Sequence, residues 1–243
     1  MIIIRAIRSL LFEIGRATFT ILVVPFGLLA LPINPVTRSR ILGWCAHLVI
    51  PWLRITCGIS HRIEGQENIP AGPCVLLVKH QSTWETFALQ TIFPPQTWVL
   101  KKELLYIPVF GWGLWASKPI AIDRSAKLNA LNQVVTQGKN ILEEGRCVVI
   151  FPEGTRVAYG QKKKYSVGGA KLAVEASVPI IPVAHNAGRL WGKGKFLKQS
   201  GIINIAIGRP MITNEEDPHQ LTLEAEQWIE SKISEWVNQL ENQ

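Results

Sequence analysis

CVLLVKHQSTWETF, residues 74–87, decides the fold. Its first five residues are apolar without alternation and follow Gly72-Pro73, the pattern of a strand covered on both faces. Thr83 to Thr91 carries helical spacing and is stopped by Pro94-Pro95. Between the two lie four residues, Lys79 to Ser82. A buried strand passing through a short loop into a helix is the building unit of an α/β sheet.

The same alternation continues outward. Strands are predicted at His61–Glu64, Thr97–Leu100, Ile120–Ile122, Cys147–Phe151, Ile180–Val183 and Ile202–Ile207. Between them, Leu128, Leu131, Val134, Val135, Ile141 and Leu142 recur at helical spacing, and Lys171–Ala176 closes another helix. Leu221, Ala225, Trp228, Ile233, Trp236 and Leu240 mark an amphipathic C-terminal helix. The expected fold is α/β, with a mostly parallel mixed sheet flanked by helices.

His80 and Glu85 admit two readings. Ser82-Thr83-Trp84-Glu85 has the form of a capping box, in which Glu85 is structural and His80 a loop residue. Alternatively the carboxylate holds the imidazole. Five positions apart on one helix, two side chains diverge by about 140°, so they meet only if His80 precedes the helix and Glu85 lies on its first turn. The positive end of that helix then favours a neutral imidazole, and the carboxylate fixes its tautomer. No serine or cysteine nucleophile stands beside the pair, so such a base would activate a hydroxyl of the substrate.

FPEGTR, residues 151–156, follows the strand CVVIF at the carboxyl edge where α/β sheets place ligands. Gly154 permits close backbone approach. Arg156 offers a planar fork suited to phosphate, and Glu153 can accept from a hydroxyl or orient the arginine. A plain turn with a surface ion pair is the competing reading.

Charge points to an anionic partner. Residues 214–243 hold eight acidic groups and one lysine, whereas the first 213 residues hold 25 basic and 10 acidic groups, a net +15. Membrane surfaces, phosphorylated substrates and acidic carrier proteins fit such a body; no nucleic-acid module is present in the sequence to use it. The four cysteines have neither CxxC pairing nor metal-ligand spacing, so neither disulfides nor a metal are expected. Ala17–Thr37 carries no charge, and Ile41–Leu53 is uncharged with two tryptophans. Pro25, Gly27, Pro32 and Pro35 are expected to interrupt the first stretch, and Arg5, Arg8, Arg16, Arg38, Arg40 and Arg54 flank both. The pattern predicts residues 1–58 as a two-helix membrane-docking motif sunk into one leaflet, with a single span as the alternative, followed by an α/β domain over 59–243.

The ordered blocks KHQSTWE (79–85), KKELLYIPVFGWG (101–113) leading to Ile122-Asp123-Arg124, FPEGTR (151–156) and VPIIPV (178–183) resemble the glycerolipid acyltransferase family. The match covers roughly residues 60–210. Glu85 replaces the family's usual aspartate, and Lys164–Gly169 departs from its usual Phe-Lys-x-Gly. The resemblance implies an O-acyltransferase without cofactor or metal, in which His80, paired with Glu85, takes the proton from the free hydroxyl of lysophosphatidate. That oxygen then attacks the thioester of acyl-CoA or acyl carrier protein. It implies that Lys101, Arg124, Glu153 and Arg156, with Gly154 and Thr155 of the same loop, surround the glycerol phosphate, with Lys102 a second candidate. It also implies an anionic membrane partner and a place at the cytoplasmic face of the inner membrane, monotopic or single-pass. Another lysolipid acceptor, such as a lyso-ornithine lipid or a lysophospholipid, and a non-catalytic membrane-binding protein on the same fold are the alternatives.

Overall fold

The structure, a computed structural model, describes residues 2–93, 95–123, 127–214 and 216–241. Two long helices come first, α1 (Ile2–Leu29) and α2 (Pro35–Cys57). The turn into α2 is set by Asn34, whose side chain accepts the Thr37 amide at 2.9 Å, and by Pro35 in the first helical turn, where no N–H is needed. There follow β1 (Ile59–Glu64), β2 (Val75–Val78), α3 (Trp84–Ile92), β3 (Gln96–Lys101), α4 (Phe110–Ala116), β4 (Ile120–Ile122), α5 (Lys127–Glu143) and β5 (Cys147–Ile150). The chain closes with α6 (Gly168–Glu175), β6 (Ile180–His185), α7 (Ala187–Leu190), β7 (Gly201–Ile207) and α8 (Pro218–Glu241).

The strands form one seven-stranded sheet in the order β1-β7-β6-β2-β5-β3-β4. Every neighbouring pair is parallel except β6 and β7. Alternation along each strand sorts the core into two layers. Leu76, Val78, Val149, Ile181 and Ile203 face α1, α2, α3 and α7. Val75, Leu77, Val148, Ile150 and Ile180 face α5, α6 and the start of α8. Farther along α8, Ile229, Ile233 and Trp236 pack on Ala184 and Ala206 of β6 and β7. The sheet is thus covered on both sides, which is why β2, β5 and β6 are buried at every position.

The N-terminal helices depart from the sequence expectation in two ways. Pro25 lies inside α1, and the chain turns only at residues 30–34. A proline in a helix removes one backbone hydrogen bond; here packing against α2 and α4 along the length of α1 holds the helix together. Nor are the flanking arginines all surface cations. Arg38 is buried and donates to the carbonyls of Ala116, Leu31 and Ile33, closing the α1–α2 turn onto the end of α4. Arg8 donates to the Thr56 carbonyl at 2.5 Å. Phe12 of α1 and Ala46, Val49 and Leu53 of α2 belong to the same core cluster as the sheet.

Candidate active site

β2 ends at Val78, and alternation carries past its end. Lys79 turns toward the α8 side of the sheet and His80 toward the α1–α3 side, where its ring lines a cleft. The His80 ring stacks on Phe151 at the end of β5, with centroids 3.9 Å apart and an interplanar angle of 16°. Its Nδ1 lies 2.8 Å from Glu85 Oε1. A carboxylate accepts, so Nδ1 donates to it, and Nε2 is the ring nitrogen that Glu85 does not engage.

Glu85 performs both tasks that the sequence left as alternatives. It sits on the first turn of α3, and the same Oε1 that receives His80 accepts the amides of Gln81 (3.0 Å) and Ser82 (2.8 Å). The Ser82 hydroxyl accepts the Trp84 amide at 3.1 Å, so α3 begins one residue later than predicted. Burial alone would raise the Glu85 carboxyl. The hydrogen bond from His80 and the Ser82 amide pull against burial, and the group lies below the usual carboxylate range. His185, which carried no sequence signal, is buried at the end of β6. Its Nε2 donates to the Lys79 carbonyl at 2.7 Å and stands 3.9 Å from Glu85 Oε2, and its Nδ1 accepts the Ala187 amide at 3.3 Å. Burial pushes this imidazole down, toward the neutral form.

The FPEGTR loop grips the histidine from below. Glu153 Oε2 accepts the His80 amide and the His80 carbonyl accepts the Val157 amide, both at 2.7 Å. Here the expectation for Glu153 is corrected. Its side chain is buried, does not line the cleft, and points to Lys79 Nζ at 2.7 Å. Burial drives its carboxyl above the usual range, against the pull of Lys79. Gly154 has φ +67°, a conformation that side chains disfavour, and a Cβ there would meet no atom; the turn itself, not a crowded approach, requires glycine.

The cleft has a volume of about 770 Å³ and runs along the carboxyl edge of β2, β5 and β3. Lys101, Gly154, Thr155 and Arg156 line it together with His80; Arg156 Nε finds no acceptor among the described residues. Lys102 points elsewhere, to an ion pair with Asp123. Arg124 lies outside the described residues. Two cations were not anticipated, Arg16 of α1 and Lys193 after α7. Arg16 is paired with Glu13 at 2.6 Å. Four cations and no carboxylate therefore line the cleft among the described residues, a field suited to an anion. The walls leading away from His80 are apolar: Phe87, Trp98, Leu100, Val109 and Leu114 among them. Chemically, the arrangement offers a carboxylate-held imidazole beside an apolar groove with a cationic rim.

The profile of a family described as acyltransferase matches residues 60–186. A 1-acyl-sn-glycerol-3-phosphate acyltransferase of Pseudomonas aeruginosa is 44% identical over 239 residues, covering 96% of this chain and 92% of that one. Human 1-acyl-sn-glycerol-3-phosphate acyltransferase beta is 29% identical over 71% of this chain and 62% of its own. The crystal structure of the 1-acyl-sn-glycerophosphate (LPA) acyltransferase PlsC from Thermotoga maritima shares the fold, with a TM-score of 0.78, 20% identity and 95% of each chain covered.

Proposed function

The chain belongs to the acyltransferase family and is an enzyme of that class; from that premise we propose that it acylates the free hydroxyl of lysophosphatidate, giving phosphatidate for phospholipid synthesis. The donor is acyl-CoA or acyl carrier protein, and no cofactor takes part. The observation that carries the reading is His80, whose Nδ1–H is fixed by buried Glu85 while its ring lines a cation-rimmed cleft.

In this mechanism His80 Nε2 removes the acceptor hydroxyl proton as its oxygen attacks the thioester carbonyl. The new C–O bond replaces the C–S bond, and the departing thiolate takes the proton back from the imidazolium. Glu85 stabilises that imidazolium. Lys101 and Arg156 bind the acceptor phosphate, with Gly154 and Thr155 shaping the loop beside it; Arg124 is assigned to the same phosphate by its motif position. α1 has one face packed on the protein and the other exposed, through Ile3, Ile7, Leu10, Ile14, Phe26 and others. We infer that it lies in one leaflet of an anionic membrane at the cytoplasmic face, although its length and composition also suffice for a span.

The test is thiol release by detergent-purified enzyme given palmitoyl-CoA or palmitoyl-acyl carrier protein, with lysophosphatidate, lysophosphatidylcholine or lyso-ornithine lipid. Release that depends on lysophosphatidate supports the proposal. Release with another lysolipid and none with lysophosphatidate overturns the acceptor.

A further inference from the structure

Lys79 places its side chain in the protein interior, between the end of β2 and α8. It is fully buried, and so are both its carboxylate partners, nearly or completely. Its Nζ lies 2.7 Å from Glu153 Oε1 and 2.5 Å from Glu230 Oε1, and donates to the Gln161 carbonyl at 3.2 Å. Glu230 stands on α8, beyond residues 60–186 that the family profile matches. Its Oε1 also accepts the Tyr165 hydroxyl at 3.2 Å.

Stability alone does not account for such a cluster. Buried ion pairs lose most of their attraction to desolvation, and apolar replacements of similar volume often fold as well or better. What the cluster does is geometric. Glu153 divides its two oxygens between Lys79 and the His80 amide. The ammonium therefore fixes the carboxylate that fixes the peptide carrying the reactive ring. On the far side, Glu230 fixes the ammonium.

We propose that Lys79 and Glu230 are positioning residues for acyl transfer, acting through Glu153 on the backbone of His80. The inference rests on His80 being the base. It makes the C-terminal helix part of the reaction machinery, although α8 contributes nothing to the cleft lining among the described residues. Since neither residue lines the cleft, their loss should alter the chemical step and leave substrate binding alone.

The experiment compares Lys79→Met and the double variant Lys79→Met/Glu230→Leu with wild type and His80→Ala, using palmitoyl-CoA and lysophosphatidate. Of the two acids that the single variant leaves without their cation, the double variant removes Glu230, while Glu153 keeps the His80 amide as a partner; this lessens the folding cost of the single change. Thermal unfolding establishes that each is folded at the assay temperature. The expected result is a kcat lower by roughly 10- to 100-fold, the scale of a small misplacement of a catalytic group, with KM for either substrate within about twofold. The double variant should be no worse than the single, because the cluster acts as a unit. A folded double variant with wild-type kcat overturns the proposal, as does one whose KM rises while kcat stays. An inactive His80→Ala beside a wild-type-like double variant removes this inference alone. An active His80→Ala removes the base assignment and this inference with it.

Discussion

A glutamine at position 85 would keep the shape of the side chain and lose its charge. Since Glu85 Oε1 receives the His80 ring and two amides, Glu85→Gln should lower kcat and stability together, the latter by about 1–3 kcal/mol, as for a buried charged hydrogen-bond acceptor. Steady-state kinetics and urea unfolding of the same preparation check both. The acid limb adds a sign. The folded Glu85 carboxyl is held below the ordinary carboxylate value, so its contribution is complete above the unfolded pKa of about 4.3 and is lost as pH falls through the folded one. The stability gap between wild type and Glu85→Gln should therefore be full at neutral pH and shrink in acid below that value. A gap that widens in acid contradicts the assignment. That His80 and Glu85 can meet, and that FPEGTR stands at a strand end, could be read from spacing; that they form one site came from the family resemblance. The direction of Glu153 was not legible, although the clue was there: continuing the alternation of β2 sends Lys79 to the α8 side, and a buried lysine needs a carboxylate. His185 and Glu230 carry no local signal, since they reach the site only through the packing of β6 and α8.

At the scale of elements, α1 is fastened by polar contacts as much as by apolar ones. Lys198 Nζ reaches Glu13 at 2.6 Å, lies over the rings of Phe12 and Trp191, and its amide donates to Ser9. Gly15 faces Trp52, where a Cβ would fall 2.1 Å from the indole nitrogen that donates to the Leu11 carbonyl. Gly15→Ala should push the two helices apart and cost about 1–3 kcal/mol, the usual range for overpacking. Chemical denaturation measures it, and an unchanged midpoint would show that Trp52 swings aside freely. The apolar content of these helices was readable from the sequence. Their boundaries were not, because Pro25 reads as a break when local propensity is considered without the packing that overrides it.

For the whole molecule, the two-helix segment is both a candidate membrane surface and a lid on the core. Phe12 is completely buried and packs edge-on against Trp191, 5.1 Å between centroids. A chain lacking residues 1–34 should therefore fail to fold, not merely fail to bind membranes, and limited proteolysis in detergent would reveal it. A stable, protease-resistant truncation would show instead that the segment is an appendage. The strand order and the antiparallel pairing of β6 with β7 could not be read from the sequence, which marks each strand by its own residues but not by its neighbour. That the sheet is mostly parallel and two-sided was readable, since CVLLV and CVVI are apolar at every position.

The central claim is that His80, held by Glu85, is the base. The most direct measurement is the rate of lysophosphatidate-dependent thiol release from palmitoyl-CoA by wild type and His80→Ala under identical conditions. The account predicts a fall of roughly 10² to 10⁴-fold in the variant, the usual worth of a general base, with the fold intact by thermal unfolding. Folded His80→Ala that keeps its rate within about tenfold of wild type would contradict it.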